Sequence, residues 1–271
     1  MNEATSFDAA RNANDAAVPY KALISVVIPM KNEVGSVESL LSGCMEAVSA
    51  IGPAEICVTD DASTDGTGEA LLEWAYTHPD IRVIILTHAR TAGQSAAVHS
   101  AVKMSSGRFI VTLDGDGQNP PDQIGRLVAP LLSAPDGSTL GLVAGQRVKR
   151  DDPFAKRFAS KLANKIRGTL LRDGTPDTGC GLKAFRRDAY LALPYFNHMH
   201  RFLPALFQRD GWDIAHVEVT HRPRESGTSK YNNFNRAIVG ATDLLGVAWL
   251  IRRKKSLRGT DITITRHEAQ S

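Results

Sequence analysis

Four short segments carry the side chains that could do chemistry. Asp114-Gly115-Asp116, followed by Gln118, sets two carboxylates one residue apart in a glycine-rich run. Such a pair can face one hard cation, because Mg²⁺ and Mn²⁺ take oxygen ligands and bridge to substrate phosphates. The same run is also good turn sequence, so a plain polar turn competes with the metal site. An EF-hand loop is disfavoured, since its twelfth-position Glu and flanking helical register are missing. The second segment is Asp60-Asp61-Ala62-Ser63-Thr64-Asp65-Gly66-Thr67. The carboxylates of Asp60 and Asp61 can accept from a base N–H or from ribose hydroxyls. Thr64 or Asp65 suits the cap of a following helix. We expect both roles, Asp61 for a ligand and the later residues for the cap.

The third segment, Gly93-Gln94-Ser95-Ala96-Ala97, opens a helix after a strand. Small residues there let a nucleotide approach a helix N-terminus, or simply let the helix pack closely. The segment is neither a Walker loop nor a GxGxxG fingerprint. The fourth set is basic: Arg147, the stretch around Arg157, and His221-Arg222-Pro223-Arg224 with Ser229-Lys230. Arginine and lysine suit phosphate oxygens, although a solvated basic face is the commoner use of such residues. His198 and His200 flank Met199. An HxH pair can bind metal, but no third ligand is evident, and a structural or acceptor-side role is the better expectation.

The elements that must position these groups alternate. Apolar runs at 23–28, 56–59, 81–86 and 109–113 read as strands, with helical patterns at about 36–50, 67–77 and 93–105 between them. Alternating strands and helices imply βαβ units and a mostly parallel sheet, covered on both faces. Each strand ends in a polar cluster, and in open α/β sheets ligands bind outside the carboxyl ends of the strands. Three clusters therefore converge on one edge. Further strands are expected at 140–145 and 212–219, and a glycine-rich turn followed by a short strand over 177–187. Asp152-Pro153 opens a helix over 153–171, with Asp as N-cap and Pro at the first position. On that helix Phe154, Phe158, Leu162, Ile166 and Leu170 share one arc. Lys156, Arg157, Ser160, Lys161, Lys165 and Arg167 share the other.

Composition sets outer bounds. The chain has 271 residues, 42% apolar and 23% charged, as expected of one α/β domain with an elaboration. A net charge of +3 gives no global nucleic-acid footprint, so no nucleic-acid partner is expected. Three widely spaced cysteines imply reduced thiols in a cytoplasmic protein, not a disulfide framework. Residues 1–20 and 254–271 read as tails. The apolar stretch 237–251 is interrupted by Asp243 and falls short of the ~20 residues of a spanning helix. The helix over 232–253 is expected to lie buried against the domain or to meet a membrane surface, a second copy of the chain or a membrane-protein partner. Its end, Arg252-Arg253-Lys254-Lys255, and the basic helix near Arg157 both suit an anionic membrane.

The succession VVIPMKNE (26–33), DDASTDGT (60–67), GQSAAV (93–98), TLDGDGQNPPD (112–122) and RPRESGTSKY (222–231) resembles family 2 glycosyltransferases of GT-A fold. It is most similar to the polyprenyl-phosphate (dolichol-phosphate mannose synthase-like) branch. DTGCGLKAFRRDAY (177–190) and HRFLPAL (200–206) fit bacterial members. The resemblance covers roughly 22–253 and implies a GT-A domain over 21–231. It implies inverting, metal-dependent sugar transfer from a GDP- or UDP-sugar to a polyprenyl phosphate, such as undecaprenyl or dolichyl phosphate, for envelope glycan assembly. The enzyme would sit peripherally at the inner face of the cytoplasmic membrane.

The resemblance also implies roles. Pro29 and Glu33 lie against the nucleotide, Asp61 reads base or ribose, and Gly93 and Ala97 pack beside it. Asp114, Asp116 and Gln118 surround a divalent cation, Mg²⁺ or Mn²⁺, and the diphosphate. Arg147, with Arg157 and Ser160, holds the acceptor phosphate. Arg224 and Lys230 close over the donor, and Asp177 is an auxiliary or positioning carboxylate. Ala62 departs from the pattern, where glycine is commoner. An acceptor phosphate is already largely ionised near neutral pH, its second pKa being ~6, so no strong base is required. A saccharide or protein hydroxyl acceptor would need one, and Asp177 would then be essential. A non-catalytic nucleotide-sugar-binding domain is the remaining alternative.

Overall fold

The computed structural model describes residues 23–147, 167–220 and 233–254. Its strands are β1 (Ile24–Met30), β2 (Ala54–Asp60), β3 (Arg82–Thr87), β4 (Phe109–Thr112), β5 (Leu140–Arg147), β6 (Lys183–Arg186) and β7 (Asp213–Val219). They form one sheet in the order β3-β2-β1-β4-β6-β5-β7. Neighbours pair in parallel except around β6, which is antiparallel to both β4 and β5. Six strands therefore point one way, and their carboxyl ends open on one edge. β6 starts at that edge, so its first residue, Lys183, arrives there from the opposite direction.

The continuous apolar strands reflect a sheet buried on both sides. Val26 and Ile28 enter a core with Leu40 and Leu41 of α1 (Val37–Ser49), Leu71 and Trp74 of α2 (Thr67–Thr77), and Leu127 of α4 (Ile124–Leu132). Val27 enters the opposite core with Val98 and Val102 of α3 (Gln94–Met104), Tyr190 of α5 (Arg187–Leu191), Phe207 of α6 (Leu203–Arg209) and Val247 of α7 (Asn233–Arg253). Alternation of period two sends successive side chains to opposite faces, and both faces here are apolar. The three cysteines are free and buried. Burial pushes the Cys44 thiol up to about 12, which leaves it unreactive.

One expectation about helices changes, at Arg167. Of the helix over 153–171, residues 153–166, with Arg157 and Ser160, lie outside the described residues. Residues 167–171 are helical. Arg167, placed on the solvated arc from sequence, is buried and ion-paired with the buried Asp173. Its Nη1 also donates to the Thr175 carbonyl at 3.5 Å. Leu171, four residues on, is buried as well, whereas Leu170 is only half-buried. A buried guanidinium is tolerated only when paired, and periodicity could not reveal that Asp173 supplies the partner.

Helix α7 turns Val247 and Ala248 into the second core and leaves Leu245 and Trp249 exposed. Lys254 pairs with Asp210, and Arg209 Nε donates to the Leu250 carbonyl at 3.2 Å, which fastens the helix to α6. No helix among the described residues is long and apolar enough to cross a membrane.

Ala62 sits at φ 58°, in the left-handed region. An L-residue there is disfavoured by roughly 1–2 kcal/mol, partly offset by the greater chain entropy that glycine loses on folding. Ala62→Gly is therefore expected to raise stability by about 0.5–1 kcal/mol. Urea unfolding would show a higher midpoint with an unchanged slope.

Candidate active site

The loop after β4 is pinned to the end of β1. Leu113 N–H donates to the Val27 carbonyl at 3.2 Å, after which the chain leaves the sheet at Asp114. A Cβ on Gly115 would stand 2.7 Å from the Pro29 carbonyl oxygen, so only glycine fits between the two carboxylates. The Gly115 carbonyl accepts from Ser36 Oγ at 2.6 Å, and Gln118 N–H donates to Asp116 Oδ1 at 3.2 Å. Asp114 is half-buried and held from both sides. Gln94 Nε2 donates to its Oδ1 at 2.8 Å and Asn119 Nδ2 to its Oδ2 at 3.1 Å. Burial first, and then the neighbouring Asp116 charge, push the Asp114 carboxyl above its usual range. Lys183 and the two amides oppose that shift.

Two mutually repelling carboxylates with neutral amide partners form a site that a divalent cation relieves. Gly181 lies against the Asp114 carboxylate so closely that a Cβ would overlap it. The oxygen donor set fits Mg²⁺ or Mn²⁺. Among the described residues no three His, Cys, Asp or Glu converge as a metal cage. Two carboxylates completed by substrate oxygens and water are the usual way such ions are held.

Asp61 has a different position from the one expected. Its Oδ1 accepts from Ala92 N–H at 2.8 Å and His88 Nδ1 at 2.7 Å, and its Oδ2 from Gly93 N–H at 2.9 Å. Burial alone would raise this carboxyl, but these donors outweigh burial and hold it below its usual range. Asp61 therefore orders the turn leading into α3. A ligand reaches it only through lone-pair capacity left on Oδ2. His88, which the sequence did not single out, links Asp61 onward to Ser100 Oγ at 3.0 Å. Asp60 is buried, and its Oδ1 accepts from Ser63 N–H at 3.0 Å.

The N-cap of α2 is Gly66 and not Thr64 or Asp65; Asp65, one residue earlier, accepts from Thr67 N–H at 3.0 Å and also from Val34 N–H at 3.2 Å. Asn32 bonds both Ser63 and Thr64, so the ends of β1 and β2 are laced together. Pro29 and Glu33 thus reach the same edge as Asp60 and Asp61. Gly93, at φ 90°, needs its lack of side chain. Ala97 is fully buried, and its carbonyl accepts from Thr59 Oγ1 at 2.9 Å, so it packs α3 onto β2.

At the end of β5, Arg147 grips Asp177 with both prongs, Nε to Oδ2 at 2.6 Å and Nη2 to Oδ1 at 2.8 Å. The hydrogen bonds from Asp177 raise the Arg147 pKa against the effect of burial. The pair lines a cleft of about 550 Å³ with His216 and Glu218. Arg224 and Lys230 lie outside the described residues.

A second cavity, of about 270 Å³, opens beside Asp114. Lys183 forms part of its lining, is buried, and donates to the Cys180 carbonyl. Burial lowers its pKa, while Cys180 and Asp114 oppose the shift. Lys183 was missed from sequence; a signal that could have found it is a lysine between Leu182 and the apolar Ala184 and Phe185. His200 also lines this cavity and bonds Ser95, whereas His198 bonds Asp243. The two histidines thus serve different partners and form no joint metal site.

Comparison with known proteins follows the same lines. The model of "Glycosyl transferase family 2" matches residues 25–193. The undecaprenyl-phosphate 4-deoxy-4-formamido-L-arabinose transferase of Pectobacterium carotovorum is 34% identical over 210 residues, covering 77% of this chain and 62% of that protein. The chain thus spans under two thirds of that relative's length. The protein of the same name from Salmonella paratyphi B is 34% identical over 230 residues, 84% of this chain and 68% of its own. Among solved structures, a mannosyltransferase from Pyrobaculum calidifontis in complex with GDP-Man and Mn²⁺ superposes with TM-score 0.64 at 23% identity, covering 93% of this chain and 76% of that one. Glucosyl-3-phosphoglycerate synthase of Mycobacterium tuberculosis, with Mn²⁺, UDP and phosphoglyceric acid, gives 0.64 at 20% identity, covering 92% and 82%. At such identities these structures share the fold alone.

Proposed function

This chain belongs to glycosyl transferase family 2, and we propose that it transfers a sugar from a GDP- or UDP-sugar to a polyprenyl phosphate, such as undecaprenyl phosphate, with inversion. The observation that carries this is one sheet edge holding both a carboxylate pair suited to a cation-bound diphosphate and an arginine cleft in which Asp177 gives both its oxygens to Arg147. Asp114 raises the Arg147 pKa, and Lys183 responds to Asp114, Asp177 and Arg147 alike, so these groups share one electrostatic neighbourhood. The names of the relatives support a lipid-phosphate acceptor.

Asp114 and Asp116, with Gln118, would hold Mg²⁺ or Mn²⁺, which supplies positive charge to the departing diphosphate. Gln94 and Asn119 fix the Asp114 carboxylate so that its position is set before substrate arrives. Arg147 offers its guanidinium fork to the acceptor phosphate, exchanging the Asp177 carboxylate for phosphate oxygens of similar geometry. An acceptor oxygen attacks the anomeric carbon from the face opposite the diphosphate. The new C–O bond forms as the bond to the β-phosphate breaks, and the nucleoside diphosphate departs with the electron pair. The acceptor is already an anion, so what the protein contributes is positioning and relief of repulsion between two phosphorylated substrates.

A hydroxyl acceptor would need Asp177 as base. Both Asp177 oxygens are committed to Arg147, which favours the phosphate acceptor. The exposed Leu245 and Trp249 of α7, followed by the exposed Arg252 and Arg253, suit peripheral contact with an anionic leaflet. These features support a peripheral position at the cytoplasmic face of the membrane.

The test is a panel of GDP- and UDP-sugars offered with Mg²⁺ or Mn²⁺ and undecaprenyl phosphate, read by mass spectrometry. Lipid-linked monosaccharide and an equal amount of nucleoside diphosphate are expected. Transfer to a free saccharide but not to the lipid phosphate would overturn the acceptor assignment.

A further inference from the structure

The cavity beside Asp114 is small and lined by both polar and apolar residues. Its 270 Å³ falls just below the usual range for ligand pockets, roughly 300–1,000 Å³. It has room for one sugar ring and not for a lipid. Asp114 forms its rim, and Lys183, His200 and Thr178 line it. A sugar esterified to a diphosphate held at Asp114 and Asp116 is one bond away from this space.

The hydrogen bonds around Ser95 fix how His200 faces the cavity. Ser95 is buried, so its hydroxyl proton requires an acceptor. Ser95 Oγ lies 2.7 Å from His200 Nδ1 and accepts from His200 N–H at 3.3 Å. If Nδ1 carried the proton, the serine oxygen would receive two donors and its own proton would have no acceptor among the described residues. With the hydroxyl donating to Nδ1, every group is used. The ring is then protonated on Nε2, which bonds no described residue. Burial, reinforced by the charges of Lys183 and Arg201, lowers the His200 pKa to about 3, so the imidazole stays neutral throughout the working range. It is a fixed neutral donor and not a proton-transfer group.

We propose that His200, locked by Ser95 into its Nε2–H tautomer, donates to one hydroxyl or carbonyl oxygen of the donor sugar and helps set which sugar is accepted. This rests on the donor-site assignment above. His200 is thereby a specificity-determining residue, and Ser95 a positioning residue acting through it. A purely structural His200 would tie α3 to the loop 195–201 and be indifferent to the sugar.

The test uses the full chain with Mn²⁺, UDP and GDP by calorimetry, and transfer to undecaprenyl phosphate from whichever UDP- or GDP-sugar is accepted. His200→Ala is expected to lower kcat/KM for the donor about 10- to 100-fold, the loss of one desolvated hydrogen bond, while nucleoside diphosphate affinity stays within about twofold. His200→Gln, which returns an amide N–H near the same place, should recover most of the loss. A series of deoxy donors adds the decisive readout. At one ring position the wild type should lose activity on deoxygenation while His200→Ala loses no more, a non-additivity that a structural role does not produce. Ser95→Ala should weaken the same discrimination to a smaller degree.

Parallel loss of diphosphate binding, or additive behaviour with every deoxy donor, overturns the assignment of His200. A wild-type chain that binds neither diphosphate and uses no donor overturns the donor site itself, and with it this inference.

Discussion

Asp116→Ala is expected to cut sugar transfer at least about 10²- to 10³-fold, the range seen when one preorganised charge-stabilising group is removed, while the chain stays folded. Gly115 and Gly117 shape the loop, and Ser36 holds it through the Gly115 carbonyl, so truncating Asp116 leaves the backbone anchored. Without a cation, the substitution also removes the neighbour that pushes the Asp114 carboxyl up, so that carboxyl should titrate closer to its usual range. The apo protein loses the Gln118 N–H bond to Asp116 but is relieved of the carboxylate repulsion, so its stability should change little. The loss should appear when ligand is added. Saturating Mn²⁺ and nucleoside diphosphate at about 100 times Kd stabilise a one-site protein by about 2.7 kcal/mol. Thermal unfolding should show that increment in the wild type and little of it in the variant. Wild-type transfer by Asp116→Ala in a metal-defined assay would exclude the cation site, whereas equal loss of apo stability would make Asp116 a structural turn residue.

Strand order and site were legible to different degrees. The parallel strands, their polar carboxyl-terminal clusters and the convergence of Asp61, Gly93 and Asp114 follow from local pattern, because a doubly covered sheet demands long apolar runs. The antiparallel β6 was legible only as a short strand. Its direction is set by pairing with β4 and β5, which sequence alone does not encode. The partners of the site were the least visible. Asp61 looked like a ligand reader because a carboxylate at a strand end has no obvious local use. Three donors from residues 27 to 32 positions away give it one. Arg167 looked solvated because helical period counts arcs and not buried partners. Lys183 was not singled out from sequence, because its nearness to Asp114 depends on β6 returning to the edge that β4 leaves. His200 was visible as half of an HxH pair, yet the partner that matters, Ser95, lies 105 positions away.

Gly181→Ala should produce the other large loss, through a mechanism that separates position from chemistry. Gly181 is not in the left-handed region, so the methyl meets no backbone objection of its own. The difficulty is through space: its Cβ would stand 2.6 Å from Asp114 Oδ1 and closer still to Oδ2. Neither side yields readily. The Gly181 carbonyl accepts from Thr112 Oγ1 at 2.8 Å, which ties that backbone to β4. Asp114 is held by Gln94 and Asn119 and is itself one residue from a glycine packed against Pro29. Relief requires the carboxylate to rotate or the strand to shift, and a displacement of about 1 Å at a reacting centre can cost 10²-fold. Turnover should therefore fall about 10²-fold, with a stability loss of about 1–3 kcal/mol from overpacking. The cation dependence should weaken in the same variant, since every cation-binding side chain is still present and only their geometry has changed. Gly125→Ala is the matched control: nothing lies within 4 Å of its added Cβ, it sits in α4, and it should leave turnover unchanged. Wild-type turnover in Gly181→Ala would mean that the Asp114 carboxylate has another productive position, and the tight cradle around it would then serve packing alone.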